Sequence, residues 1–190
     1  NMYLCKMNQW RRIILLAFIS FTWTQCSEGN EGAQGKFDYF QFQKVDLREY
    51  DIAASIMIPD ATAGIGASFK PNVEHDEGGY KWTISVGRNF QLFLEDYGDN
   101  LYRFEEFKKD LIKDNKKTNY FQFNMLKEEK DILLYSRKEK SAFIKDKKVT
   151  YHIYAVKKIN GIYYEIRNGE RGDSKKVVDF MYHSIQSFHP

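Results

Sequence analysis

Two predicted strands carry apolar side chains on both of their faces, and this limits the folds open to the chain. The run Ile132-Leu133-Leu134-Tyr135 is continuously apolar, while Phe90, Leu92 and Leu94 lie on one side of their strand with Phe93 on the other. Because successive side chains of a strand point to opposite faces, such strands need apolar cover on both sides. A sheet with helices on both faces provides that cover.

The hydrophobic pattern supplies the strands and helices of this arrangement. Period-two alternation or short apolar runs predict strands, and amphipathic stripes predict helices. The predicted strands are 52–58, 80–86, 90–94, 119–126, 131–137, 149–157 and 162–167, with an aromatic cluster at 37–42 left open as a further edge strand. One helix is predicted to begin after Asp99 or Asn100 and a second at Asp173 or Ser174, since short polar side chains cap helices.

Two connections are distinctive. Asn160-Gly161, between strands with alternating apolar residues, predicts a tight hairpin because both turn positions need positive φ. Residues 59–79 are rich in glycine and contain two prolines, which predicts a long loop.

The sequence therefore predicts an α+β domain in which two helices pack on opposite faces of a single, mostly antiparallel sheet. The predicted order is β-β-β-α-β-β-β-β-α. Over residues 50–188 this order, together with the helix Val177–Phe188, resembles the PsbP-like fold of the extrinsic photosystem subunits. The resemblance implies a layered sandwich and a non-catalytic binding or assembly module.

The N-terminal region is typical of an export signal. Arg11 and Arg12 precede an apolar run from Ile13 to Phe21, which is shorter than the roughly 20 residues needed to span a bilayer. Residues 13–26 resemble the end of a bacterial lipoprotein signal. In that family the signal is cut before the final cysteine, here Cys26, which becomes the lipid-bearing first residue of the mature protein. That family prefers a leucine-like residue and a small residue where this chain has Trp23 and Gln25, so ordinary cleavage or a retained anchor stay open.

These features predict the organisation of the chain. Residues 1–25 comprise upstream residues and the signal peptide, 26–36 form a flexible glycine-rich tether, and 37–190 form one domain. The resemblance implies attachment to the cell envelope through lipid on Cys26, in the outer membrane and facing the periplasm or the surface. From Cys26 onward the chain holds 26 basic and 26 acidic residues, and this balance argues against nucleic-acid binding.

Candidate chemistry is sparse. His75, Asp76 and Glu77 offer a nitrogen and two carboxylates for a metal, but consecutive loop residues seldom form a site alone, so neither metal nor cofactor is predicted. No nucleophile stands in a recognisable catalytic motif, which makes an enzyme the least favoured class.

Aromatic residues on the strands give the candidate binding surface, because tyrosine and tryptophan combine apolar area with a polar group. The candidates are Tyr80, Trp82, Tyr151, Tyr154, Tyr163 and Tyr164. The favoured function is a lipid-anchored, non-enzymatic binding or assembly module whose partner is an envelope protein or glycan. The alternative is a small-molecule carrier with an apolar pocket under the 59–79 loop.

Overall fold

The computed structural model describes residues 38–76, 78–99, 103–117, 120–140 and 148–190. Four predicted features lie outside these ranges: the signal peptide 1–25, the tether 26–36 that begins at Cys26, the metal candidate Glu77, and the helix-cap candidate Asn100. In the ranges that are described, no helix is long and apolar enough to cross a membrane.

The domain is α+β, as predicted. Its strands are β1 (Phe42–Asp46), β2 (Ser55–Pro59), β3 (Asn72–Asp76), β4 (Lys81–Val86), β5 (Phe90–Asp96), β6 (Phe121–Glu128), β7 (Ile132–Glu139), β8 (Val149–Ile159) and β9 (Ile162–Arg167). Its helices are α1 (Arg103–Lys117) and α2 (Lys175–Gln186). Short 3-10 helices occupy Arg48–Tyr50 and Ala61–Ala63.

All paired strands are antiparallel, but they form two sheets, so the prediction of a single sheet is wrong. The seven-stranded sheet has the order β3-β4-β5-β9-β8-β7-β6, and β1 pairs with β2 in a separate two-stranded sheet. Within the described ranges, five strands precede α1, whereas the predicted order had three. The aromatic cluster at 37–42 precedes β1 and contributes only Phe42 to it.

The second correction concerns residues 59–79, which were predicted to be a loop. They include a 3-10 helix, in which Ala63 is buried, and the edge strand β3. In β3 the burial alternates between exposed and half-buried residues, with Val73 packed against the core. An edge strand of this kind needs little apolar material, so the hydrophobic pattern did not reveal it.

The seven-stranded sheet has one face that is covered over its central strands, called here the core face. Helix α2 lies on it through Val177, Val178, Met181 and Ile185, which are buried together with alternate residues of β4, β5, β7, β8 and β9. The N-cap of α2 is Ser174, whose side-chain oxygen accepts a hydrogen bond from the backbone N–H of Val177 at 3.4 Å.

The opposite face of the sheet, called here the outer face, is covered only in part. Helix α1 packs on β6 and β8, and its Phe104 forms a small buried cluster with Leu133 and Tyr154. The two helices therefore lie on opposite faces, as the doubly apolar strands predicted. Towards β4 and β5 the outer-face side chains of Lys81 and Gln91 are exposed.

The two-stranded sheet closes the other side of the core. Strand β2 packs against α2, and its Ser55 exchanges two backbone hydrogen bonds with His189, at 2.8 and 3.2 Å. The predicted hairpin at Asn160-Gly161 is also present, with φ of 49° and 95° at the two turn residues. That turn fixes the register of β8 against β9, which matters for the site below.

Candidate binding cleft on the outer face

The six aromatic residues predicted as a binding surface do not share one surface. Trp82, Tyr154 and Tyr164 are buried, Tyr151 and Tyr163 are half-buried, and Tyr80 is exposed in the turn before β4. The strand register places Trp82, Tyr151 and Tyr164 on the core face and Tyr154 and Tyr163 on the outer face. Of the six, Trp82 and Tyr154 are among the residues that line the cleft described below.

The predicted metal candidates are also separated. His75 pairs with Trp82 in the register of β3 and β4, and the two rings stack with centroids 4.6 Å apart. Asp76, the next residue along β3, points to the other face of the sheet. Among the residues that the structure describes, no three side chains of histidine, cysteine, aspartate or glutamate are grouped to hold a metal ion.

Two adjoining cavities lie on the outer face, with volumes of about 340 Å³ and 440 Å³. Both are lined by Glu95 of β5 and by Glu165 and Arg167 of β9. We call the combined feature the outer-face cleft. The first cavity extends over β4 to β3, and the second extends over β8 to β7 and is bordered by α1 and by residues 168–170. Volumes of this size are typical of small-ligand sites.

The floor of the cleft is built by cross-strand pairing. One row across the sheet contains Asp76, Lys81, Glu95 and Glu165, each directly opposite the next. The adjacent row contains Phe93, opposite Arg167. Directly opposed residues have Cβ atoms about 4.5–5.5 Å apart, so three carboxylates and two cations are concentrated on the floor of the cleft.

Glu165 is the most buried of these charges. Its residue exposure is 8%, and its Oε2 accepts a hydrogen bond from the Tyr154 hydroxyl at 2.7 Å. Its nearest cation is Arg167, with Nε 3.7 Å from Oε1, which is longer than a hydrogen bond. Glu95 is likewise 3.5 Å from the Lys81 Nζ. Glu95 and Glu165 therefore each lie near a cation that they do not bind tightly.

Arg167 is placed for contact with a ligand. Its side chain is 41% exposed, and its guanidinium carbon is 5.8 Å from the centroid of the Phe93 ring. Its ion pair with Glu165 is too long for a hydrogen bond, and its guanidinium donates no hydrogen bond to another residue within the described part of the chain. A planar group with five N–H donors therefore borders the cleft with its donors available.

Aromatic stacking builds the wall on the α1 side. The Phe107 ring of α1 lies on the Tyr154 ring, with centroids 3.8 Å apart and planes 9° from parallel. Deeper in the same wall, the Tyr135 and His152 rings stack at 5.0 Å. Burial raises the pKa of Tyr135 to about 12. Burial, helped by the positive charge of Arg137, lowers the pKa of His152 to about 4. Both side chains are therefore neutral near pH 7.

Asn168 fixes the end of the cleft where β9 runs into the loop before α2. Its Oδ1 accepts a hydrogen bond from the backbone N–H of Ile153, and its Nδ2 donates to the carbonyl of Tyr151 and to Asp173 Oδ2, at 2.7–3.1 Å. The neighbouring residue Glu170 accepts a hydrogen bond on its carbonyl from Arg137 Nη2 at 2.7 Å. These bonds hold the loop 168–170 against β7 and β8.

Sequence reasoning did not select Glu95, Glu165 or Arg167, although a signal for two of them was present. The Asn160-Gly161 turn sets the β8–β9 register, and alternation then places Glu165 and Arg167 on one face with Tyr154. The pairing of Glu95 with Glu165 had no such signal, because β5 and β9 are distant in sequence.

Comparisons of this chain with models of known protein families and with curated proteins gave no match.

Proposed function

We propose that this protein is a non-enzymatic binding module of the cell envelope, and that the outer-face cleft is its binding site. The observation that carries the proposal is the pairing, in one cleft, of a buried carboxylate at Glu165 with a half-exposed guanidinium at Arg167. A few convergent polar groups in a preformed concave site are typical of ligand recognition.

The chemistry of the cleft favours binding over catalysis. A general base works best when its pKa lies near the working pH. The pKa of His152 is lowered by burial to about 4, and its Nε2 is 3.0 Å from the Thr150 hydroxyl. The residue thus serves the wall of the cleft as a neutral packing group, which suits a binding protein.

The location in the envelope is part of the same proposal and is supported by the sequence. The basic and apolar stretch before Cys26 resembles a bacterial export signal that ends in lipidation, and residues 26–36 would tether the domain to an outer membrane. The partner would be an envelope protein or glycan. A PsbP-like relationship is proposed as well, supported by helices on both faces of an antiparallel sheet.

Intact-mass analysis of the protein extracted from membranes tests the attachment. We expect a chain that begins at Cys26 and carries acyl groups, and we expect Cys26→Ser to lose both the acyl mass and the membrane association. Cys5→Ser changes the only other cysteine and is the matched control, which should stay acylated. An unmodified chain that retains residues 1–25 would contradict the proposal.

The binding role is tested separately with residues 27–190, which include the hydrophobic core described between residues 42 and 188. Immobilised protein should retain a defined component from detergent-solubilised envelopes, and Arg167→Met should abolish the retention. Retention that is unchanged in Arg167→Met would contradict the outer-face cleft as the site. Native mass spectrometry of the same protein distinguishes the carrier alternative, which requires a co-purifying apolar molecule.

A further inference from the structure

We infer that the outer-face cleft binds the C-terminal lysine of a protein partner, with the lysine ammonium between Glu95 and Glu165 and the terminal carboxylate on Arg167. This inference rests on the proposed binding function and names the chemistry of the partner. Its basis is a group of four side chains at the centre of the cleft, called here the central tile: Phe93, Glu95, Glu165 and Arg167.

Glu95 and Glu165 form a site for a cation. The two residues are directly opposite each other on β5 and β9, a position in which like charges are destabilising. Glu165 is 8% exposed and lines both cavities; its Oε2 accepts a hydrogen bond from Tyr154, but its Oε1 accepts none from the residues that the structure describes. An ammonium has three donors, so one placed between the two carboxylates would bond to both and would remove their repulsion.

Arg167 supplies the matching site for a carboxylate. Its guanidinium lies beside the Phe93 ring and, within the described ranges, donates no hydrogen bond to another residue. Its planar fork binds the two oxygens of a carboxylate in a bidentate manner. The free end of a polypeptide presents such a carboxylate.

The spacing of the central tile fits lysine. Glu165 and Arg167 are two residues apart on β9, as are Glu95 and Phe93 on β5. With a rise of about 3.3 Å per residue, the acidic row and the Arg167 row are roughly 7 Å apart. The four-carbon stem of lysine spans this separation between its ammonium and the terminal carboxylate. The half-buried Phe93 ring offers apolar surface to the methylene groups of the stem.

Carboxylates outnumber cations in the whole cleft, which favours a partner segment of net positive charge. The carboxylates that line the two cavities are Glu74, Asp76, Glu95, Glu165 and Glu170. The lysine and arginine residues that line them are Lys81, Arg137 and Arg167. A basic residue before the C-terminal lysine would therefore be attracted, and an acidic residue there would be repelled.

The extent of the cleft indicates a polypeptide rather than a single amino acid. The cavities of about 340 Å³ and 440 Å³ share three residues of the central tile, so they form one trough that crosses the sheet from β3 to β7. A terminal lysine would occupy the centre of this trough. The residues that precede it in the partner chain would extend along the rest.

The test measures the binding of short peptides to residues 27–190 by isothermal titration. The reference peptide is an acetylated tetrapeptide of three alanines and a C-terminal lysine. Its C-terminal amide lacks the carboxylate, and the same peptide ending in norleucine lacks the ammonium. We expect saturable binding of the reference peptide at millimolar concentration or below, and roughly tenfold weaker binding, or less, of the other two. A second lysine before the last residue should strengthen binding, and a glutamate there should weaken it.

Protein variants assign each ligand group to its residue. Arg167→Met should reduce the preference for the carboxylate over the amide to about twofold or less, and Glu95→Gln should reduce the preference for lysine over norleucine by about threefold or more. The matched controls Arg48→Met and Glu49→Gln change the same residue types in the 3-10 helix after β1 and should leave both preferences unchanged. Near-UV circular dichroism of each variant separates loss of the fold from loss of the ligand.

Three results would overturn the inference. The first is the absence of binding by the reference peptide, or equal binding of its amide and norleucine forms. The second is a pair of preferences that both cleft variants leave intact. The third is binding of the amino acid lysine as tight as that of the tetrapeptide, because the cleft would then recognise an amino acid and not a protein. Retention of an envelope component that depends on Arg167, as described above, would survive each of these results and so tests the proposed function independently.

Discussion

His152 should make the stability of the domain fall as the pH decreases from neutral. The residue is 4% exposed, and its ring stacks on Tyr135 and lies within hydrogen-bond distance of Thr150. Burial, with a smaller effect of the Arg137 charge, lowers its pKa from 6.5 to about 4. The unfolded chain therefore takes up this proton near pH 6.5, whereas the folded domain takes it up only near pH 4.

The magnitude follows from the two pKa values. Above pH 6.5 the imidazole is neutral in both states and contributes no pH dependence. Below that pH the unfolded state binds the proton first, so the free energy of unfolding decreases. The loss is roughly 2 kcal/mol at pH 5 and roughly 3 kcal/mol at pH 4, where the curve begins to level off.

The assay is urea unfolding of residues 27–190 and of the His152→Gln variant over a series of pH values from neutral to about 4.5. Glutamine keeps a polar side chain near Thr150 but cannot titrate, and the carboxylates that also titrate are common to both proteins. We expect the unmodified protein to lose roughly 2 kcal/mol more than the variant. Parallel loss of stability in the two proteins would refute a buried, neutral His152.

Three further predictions concern stability and are measured by the same unfolding assay at neutral pH. Asn168→Ala should lower the free energy of unfolding by about 1–3 kcal/mol because it leaves the buried backbone N–H of Ile153 without its partner, and unchanged stability would argue against that network. Gly87→Ala should lower the free energy of unfolding by about 3 kcal/mol or more, because φ is 65° and the new Cβ would overlap the Gly66 carbonyl. Unchanged stability would contradict this close approach. Trp82→Phe should lower the free energy of unfolding by about 1–2 kcal/mol, because it removes the 2.7 Å hydrogen bond from the indole N–H to the Tyr50 carbonyl. Unchanged stability would contradict a contribution from this bond.

The parts of the fold that followed from the sequence are those with a local signal. The range predicted for β9 matches the structure, and Asn160-Gly161 forms the expected turn. The doubly apolar residues of β7 correctly indicated cover on both faces, with Leu133 under α1 and Leu134 in the larger core. Each signal depends on residues that are close in the chain.

The parts that were missed depend on pairing between distant segments. Strand β3 has a mainly polar sequence and is held by its neighbour β4, so its own pattern predicted a loop. The binding surface was expected from aromatic residues, but burial of Trp82 and Tyr164 in the core removed them from it. The cleft instead depends on Glu95 meeting Glu165 across strands that are about seventy residues apart, which no local pattern encodes.

Photo-crosslinking in the intact envelope tests the central claim most directly. A photoreactive phenylalanine analogue replaces Thr83, which borders the outer-face cleft, or Lys109, which is exposed on α1. The account predicts a light-dependent adduct from position 83, no adduct from position 109, and loss of the first adduct when Arg167→Met is added. The absence of an adduct from position 83, or an adduct that persists with Arg167→Met, would contradict the account.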